Sequence, residues 1–180
     1  MVEAFLTRGW RVVAPTREEA DLTDPEAVRG VVAEAGELDA VVNLVGGFAA
    51  GQPIADTPVE VFERMFALNL RTTYLVTQAA LGRLREGGAV VCVSSATAAK
   101  PFAGAAGYAA SKAAVTAFAR TLAAEGVRCN VVIPSMIDTP ANRAAGMPAA
   151  KMVAPERIAD VILFLCSEEG AALSGAELPV

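Results

Sequence analysis

Apolar residues along this chain fall into two patterns, short solid runs and longer stretches in which they recur every three or four positions. Solid runs bounded by turn residues predict buried strands: Arg11 to Pro15 (RVVAP), Ala40 to Val45, Ala89 to Val93, Val127 to Ile133, and a short terminal run from Glu177 to Val180. The helical spacing places Val2, Phe5 and Leu6 on one face of Met1 to Arg8. It continues through Pro25 to Ala35, Pro58 to Arg85, Tyr108 to Glu125 and Pro155 to Cys166. Gly9, Gly36, Gly87-Gly88 and Gly126 supply helix stops, Pro134 ends a strand, and the polar DLTD stretch before Pro25 marks a helix start, with Asp21 a candidate cap. Strand and helix alternate from end to end. That pattern predicts an α/β fold, a doubly wound parallel sheet of the Rossmann-like kind, as one domain over residues 1–180.

Composition narrows the function. Hydrophobic residues make up 54% and charged residues 19%, as suits strands covered on both faces. No apolar run approaches the ~20 residues that cross a bilayer, and no basic, apolar leader is evident, so a cytoplasmic protein without membrane contact is expected. The chain has no histidine, which excludes His-dependent triads and His-containing zinc sites. Cys92, Cys129 and Cys166 are widely spaced in apolar surroundings and read as reduced core residues, with no metal expected. A net charge of −5 without a cationic cluster argues against nucleic acid and leaves a small anionic cofactor open.

Ligands of open α/β sheets sit beyond the carboxyl ends of the strands. Four such ends carry polar or glycine residues: Thr16-Arg17, Asn43 with Gly46-Gly47, Ser94-Ser95, and Pro134 to Thr139. Tyr108 and Lys112 stand i, i+4, on one face of a helix, where an ammonium favours a phenolate and lowers its pKa towards working pH. Ser95 ends a strand 13 positions before Tyr108, and its hydroxyl can polarise a carbonyl oxygen held beside the phenol. Each feature alone has a plain structural reading: a solvated helix face, or a turn serine bonded to backbone. Together they point to proton transfer.

The segment SSATAAKPFAGAAGYAASKAAV resembles the catalytic segment of the short-chain dehydrogenase/reductase family, with its Tyr-x-x-x-Lys signature and upstream serine. The resemblance implies that Tyr108 transfers the proton and that Lys112 grips the nicotinamide ribose. Ser95 would steady the carbonyl oxygen, and Asn69, in FALNL, would hold a water in the proton relay. Asn43-Leu-Val-Gly-Gly is similar to the turn that walls the cofactor, so Asn43 and Gly46 are expected cofactor contacts. Asp21 and Leu22 match the pair that contacts adenine, and Ile137 and Thr139 in IPSMIDTP match the segment beside the nicotinamide. Thr16 and Arg17 stand where cofactor choice is made. The lack of an acid there, with Arg17 placed to meet a 2′-phosphate, favours NADP over NAD. The implied activity is interconversion of a small-molecule carbonyl and an alcohol, in a homodimer or homotetramer paired through the helix around Asn69 and the one carrying Tyr108.

The resemblance is incomplete in front. The family opens with a strand and a Gly-rich turn that cradles the pyrophosphate, and this chain opens inside the helix that follows. Two strands with unpaired edges and an apolar trough between them are therefore expected, as in a truncated form of a longer reductase. A noncatalytic interaction protein is the alternative. The chain likewise stops at ELPV, before the family's Asp-Gly-Gly close. AFLTRGW, LVGGFAAG and IDTPANRAAGMP are also similar to dihydropteridine reductases, a branch of the same superfamily that lacks the serine, which makes a pterin substrate a second reading.

Overall fold

Four parallel strands carry the chain in the computed structural model, which describes residues 1–180. They are β1 (Leu38–Asn43), β2 (Leu84–Val93), β3 (Cys129–Ile133) and, after the two short strands β4 and β5 named below, β6 (Glu177–Pro179), in the order β1-β2-β3-β6. Alternate side chains go to opposite faces of the sheet, and both faces are covered. On one face Val41, Val90, Cys92, Cys129 and Val131 meet helices α2 (Pro25–Ala35), α4 (Thr72–Ala80) and α5 (Ala106–Ala124) through Val28, Val32, Ala80, Val115, Ala119 and Leu122. On the other, Val91 and Val132 meet α1 (Val2–Leu6) and α7 (Pro155–Cys166) through Phe5, Ile158, Ile162 and Leu165. The doubly wound parallel sheet expected from the alternation is the fold observed.

Most elements lie within two residues of their expected bounds, and the departures have physical causes. Arg11 to Pro15 is not a strand: the segment is extended but makes no ladder, because a strand exists only through a partner and none lies beside it. The helix expected from Pro58 to Arg85 is instead α3 (Val59–Phe66), a π-helical turn over Ala67–Arg71, and α4, closed by a 3₁₀ turn at Leu81–Arg83. Leu84 and Arg85 already belong to β2, where Leu84 pairs with Leu38 and the register then shifts. Asp24, not Asp21, caps α2 by accepting from the Glu26 amide; Asp21 accepts from the amide and hydroxyl of Thr23 one turn earlier. A second small sheet, β4 (Met136–Ile137) with β5 (Met152–Val153), and helix α6 (Pro140–Ala144) follow β3 and carry no periodicity that sequence reading could use.

The three cysteines are buried and free, as expected of core residues, and burial pushes the Cys166 thiol up to about 12. No helix is long and apolar enough to cross a membrane.

Between β1 and the extended Arg11–Pro15 segment runs a trough of about 920 Å³. Its walls include Val12, Val13, Val28, Val32, Leu38, Ala40 and Val42. An apolar trough beside β1 is the feature that the resemblance led one to expect.

Candidate active site

The carboxyl ends of β1 and β2 and the first turns of α5 converge on one region, pinned by Asn69. That residue has no exposed surface and sits in the π-helical turn between α3 and α4, a helix irregularity often found at functional sites. Its side chain accepts from the Gly47 amide at 2.8 Å and donates to the Gly47 carbonyl at 3.1 Å and to the Ser111 hydroxyl at 2.8 Å. Ser111 in turn donates to the Tyr108 carbonyl at 2.8 Å. Asn69 thus ties the loop after β1 to the helix that carries Tyr108. Gly46 must be glycine for this packing, since a Cβ there would lie 2.6 Å from Asn69 Oδ1 and 3.3 Å from Lys112 Nζ.

The two serines closing β2 have different tasks. Ser94 donates to the Lys112 carbonyl at 2.8 Å and accepts from the Thr116 hydroxyl at 3.0 Å, so it docks α5 onto the strand. Ser95 accepts only from the Thr97 amide, at 3.2 Å, which leaves its own O–H free to donate. Tyr108 stands in the first turn of α5, which packs on the turn following Ser95, and its ring meets Phe48 edge to face at 4.9 Å. The phenol has no hydrogen-bond partner within the chain.

Lys112 is buried one turn further on and donates to the Val93 carbonyl at 2.9 Å. Burial pushes its ammonium down to about 8 from the ordinary 10.5, against a weaker opposing pull from Cys92. The folded chain therefore binds fewer protons than the unfolded one between those values, and stability rises with pH across that interval. A gain of about 3 kcal/mol is expected on passing from below pH 8 to above 10.5, and Lys112→Met removes it. Urea denaturation of both proteins across the interval checks this, and identical slopes would show that Lys112 is not the titrating group.

The other expected site residues are more scattered. Asn43 is buried and donates to the Thr77 hydroxyl at 3.0 Å and more weakly to Cys92 Sγ, joining β1 to α4. Ile137 lies in β4 with its carbonyl accepting from Asn142, and Thr139 caps α6. Leu22 packs against the core cluster on the α2 side of the sheet, while Asp21 is exposed and held below the usual carboxylate range by the Thr23 amide. Thr16 starts a turn closed on Glu19, and Arg17 is exposed with no ion-pair partner. Sequence reading placed Gly47 and Ser94 at candidate strand ends without a role, and missed Ser111 and Phe48. Only Ser111, three residues after Tyr108 on the same helix, carried a usable spacing signal.

The residues present fit one half of a dinucleotide. Lys112, Tyr108, Asn43 and Thr139 offer buried or half-buried polar groups suited to ribose hydroxyls and a carboxamide. For a pyrophosphate there is no glycine-rich turn opening a long helix: α1 has five residues and no side-chain cap.

A family model described as enoyl-(acyl carrier protein) reductase matches residues 6–180. Among curated proteins, 2-(R)-hydroxypropyl-CoM dehydrogenase of Xanthobacter autotrophicus is 29% identical over 97% of this chain and 77% of its own length. A blue fluorescent protein from a metagenomic library, solved with NADPH, superposes with a TM-score of 0.82 at 34% identity, covering 89% of this chain and 72% of that one. A 3-ketoacyl-(acyl-carrier-protein) reductase of Brucella melitensis, complexed with NADH, gives 0.81 at 26% identity over 89% and 74%. Sheet order, flanking helices and these matches define a Rossmann-like oxidoreductase fold. The chain belongs to the short-chain dehydrogenase/reductase family of oxidoreductases.

Proposed function

We propose that this chain is the NAD(P)-dependent core of a reductase that interconverts a small-molecule carbonyl and its alcohol. The observation that carries the reading is the set of unspent hydrogen-bonding groups at the mouth of the sheet. Ser95 keeps a free O–H and Tyr108 a free phenol, while every neighbouring polar group, Ser94, Asn69 and Ser111, is already committed. Nicotinamide, when bound, supplies or accepts the hydride. Ser95 donates to the carbonyl oxygen and holds it, and Tyr108 delivers the proton to that oxygen or removes it in the reverse direction. Lys112 holds its charge next to the tyrosine and offers a donor to the ribose. Asn69 acts through its grip on Gly47 and Ser111 and so positions the helix that bears Tyr108.

Arg17, exposed and without an ion partner, is assigned to a 2′-phosphate, which makes NADP the preferred cofactor. Arg17→Ser is expected to weaken NADPH binding about tenfold and leave NADH binding unchanged, the loss of one charge-assisted contact. Calorimetric titration of both cofactors checks it; equal losses for the two would remove Arg17 from the phosphate. A folded chain that takes up neither would oppose the catalytic reading. The protein is further proposed to work as one cytoplasmic domain in a homo-oligomer. An apolar groove of about 530 Å³ between the π-helical turn, α4 and α5, lined by Phe66, Leu70, Tyr74 and Phe118, supports pairing through those helices.

A further inference from the structure

We infer that the substrate taken at this site is an uncharged aryl ketone or the matching benzylic alcohol, and that Phe48 is the residue that selects it. The inference rests on the proposed carbonyl reaction and names its substrate class. Phe48 meets the Tyr108 ring edge to face at 4.9 Å, yet it stays 62% exposed. A single apolar residue at a surface needs no explanation, but this one is held in place from both sides. On its N-terminal side, Gly47 is fixed through its amide and its carbonyl by Asn69. On its C-terminal side, the Gly51 amide donates to the Gly104 carbonyl at 3.1 Å. A Cβ at Gly104 would lie 3.0 Å from the Gly51 nitrogen, and its φ of +83° favours glycine. The loop after β1 is thereby clasped to the segment that leads into α5. Backbone bonds, rather than burial, keep Phe48 against Tyr108.

The segments around the phenol set the chemistry of what meets that ring. Leu44 to Pro53, which carries Phe48, has no charged side chain, and neither has Pro101 to Gly107, which brings in the exposed Phe102. The third segment, Pro134 to Ile137, is equally uncharged and is tied to the Ser95 turn by the Ala96 amide, which donates to the Pro134 carbonyl at 2.9 Å. The cations nearby are spent or lie outside: Lys112 donates to the Val93 carbonyl, Arg143 closes on Asp138, and Lys100 and Lys151 are exposed beyond the ends of these segments. A ligand carboxylate or phosphate would give up water here without a counter-charge in return. An aryl group on the carbonyl carbon instead meets Phe48. Such a ring pair is worth up to about tenfold in affinity beyond the area it buries, whereas a saturated ring of the same size gains the area alone.

Acetophenone and cyclohexyl methyl ketone, one skeleton with and without the aromatic ring, test it through the ratio of their kcat/KM values with NADPH. Phe48→Leu is expected to lower the aryl-to-cyclohexyl ratio about fivefold to tenfold, and Phe48→Trp to keep it. Intrinsic ketone reactivity, and any effect on Tyr108 common to both substrates, cancel when the ratios are compared. A ratio unmoved by Phe48→Leu overturns the selecting role of Phe48. Binding is read apart from turnover by fluorine NMR of para-fluoroacetophenone with the 180-residue chain and NADP⁺, an oxidised cofactor that cannot reduce a ketone. Saturable broadening is expected, weakened by Phe48→Leu and reversed by acetophenone. Phenylglyoxylate displacing the probe better than acetophenone does overturns the uncharged class. Phe48-dependent binding without any turnover upholds the aryl site and overturns the carbonyl reaction. A folded chain that neither binds nor reduces these ketones overturns both.

Discussion

Tyr108→Phe lowers NADPH-dependent turnover of a carbonyl substrate by about 10³-fold while cofactor affinity persists, because the ring still packs on Phe48 and only the transferable proton is gone. The phenol is bonded to nothing in the chain, so its removal leaves no buried partner stranded and the fold is untouched. That separates a chemical effect from a structural one. Turnover is followed by NADPH absorbance over a panel of aliphatic and aryl ketones, with folding checked by circular dichroism. Near-normal rates would take Tyr108 out of the mechanism and with it the proposed reaction.

Asn69→Ala has the opposite character. It strips three hydrogen bonds made by a side chain with no exposed surface and leaves the half-buried Gly47 amide and carbonyl and one contact of the buried Ser111 unmet. An orphaned buried polar group costs roughly 1–3 kcal/mol and a half-buried one less, so a loss of about 3 kcal/mol is expected by chemical denaturation. The loop after β1 should loosen first, carrying Phe48 away from Tyr108, and amide exchange at Gly47 should accelerate with it. A loss below about 1 kcal/mol would mean that the loop is held by something other than this side chain.

The contrast between these residues explains what the sequence made legible. Tyr108 and Lys112 belong to one helix, so their shared face follows from spacing alone, and Ser95 follows from its place at a strand end. Asn69 draws its meaning from Gly47, 22 positions earlier, and Ser111, 42 positions later, contacts that periodicity does not encode. The same locality governs the fold. Helix α7 falls on its expected residues, Pro155–Cys166, since its apolar stripe is a property of those twelve residues. Arg11–Pro15 has the composition of a strand but not the neighbour, and Leu84–Arg85 joins β2 because Leu38 is there to receive it. The family resemblance supplied what spacing lacked, notably the expectation that Asn69 belongs to the site.

The π-helical turn at Ala67–Arg71 also bears on how this region can vary. One surplus residue per turn rotates everything that follows by about 100° relative to a plain helix. Asn69 faces Gly47 from within that turn, and Thr77 faces Asn43 from beyond it, so both anchors point correctly only while the surplus is kept. Substitutions on the exposed side of this segment are cheap; a single-residue deletion would swing one anchor into solvent whatever side chains remained. Evolution can repaint this stretch but cannot re-measure it.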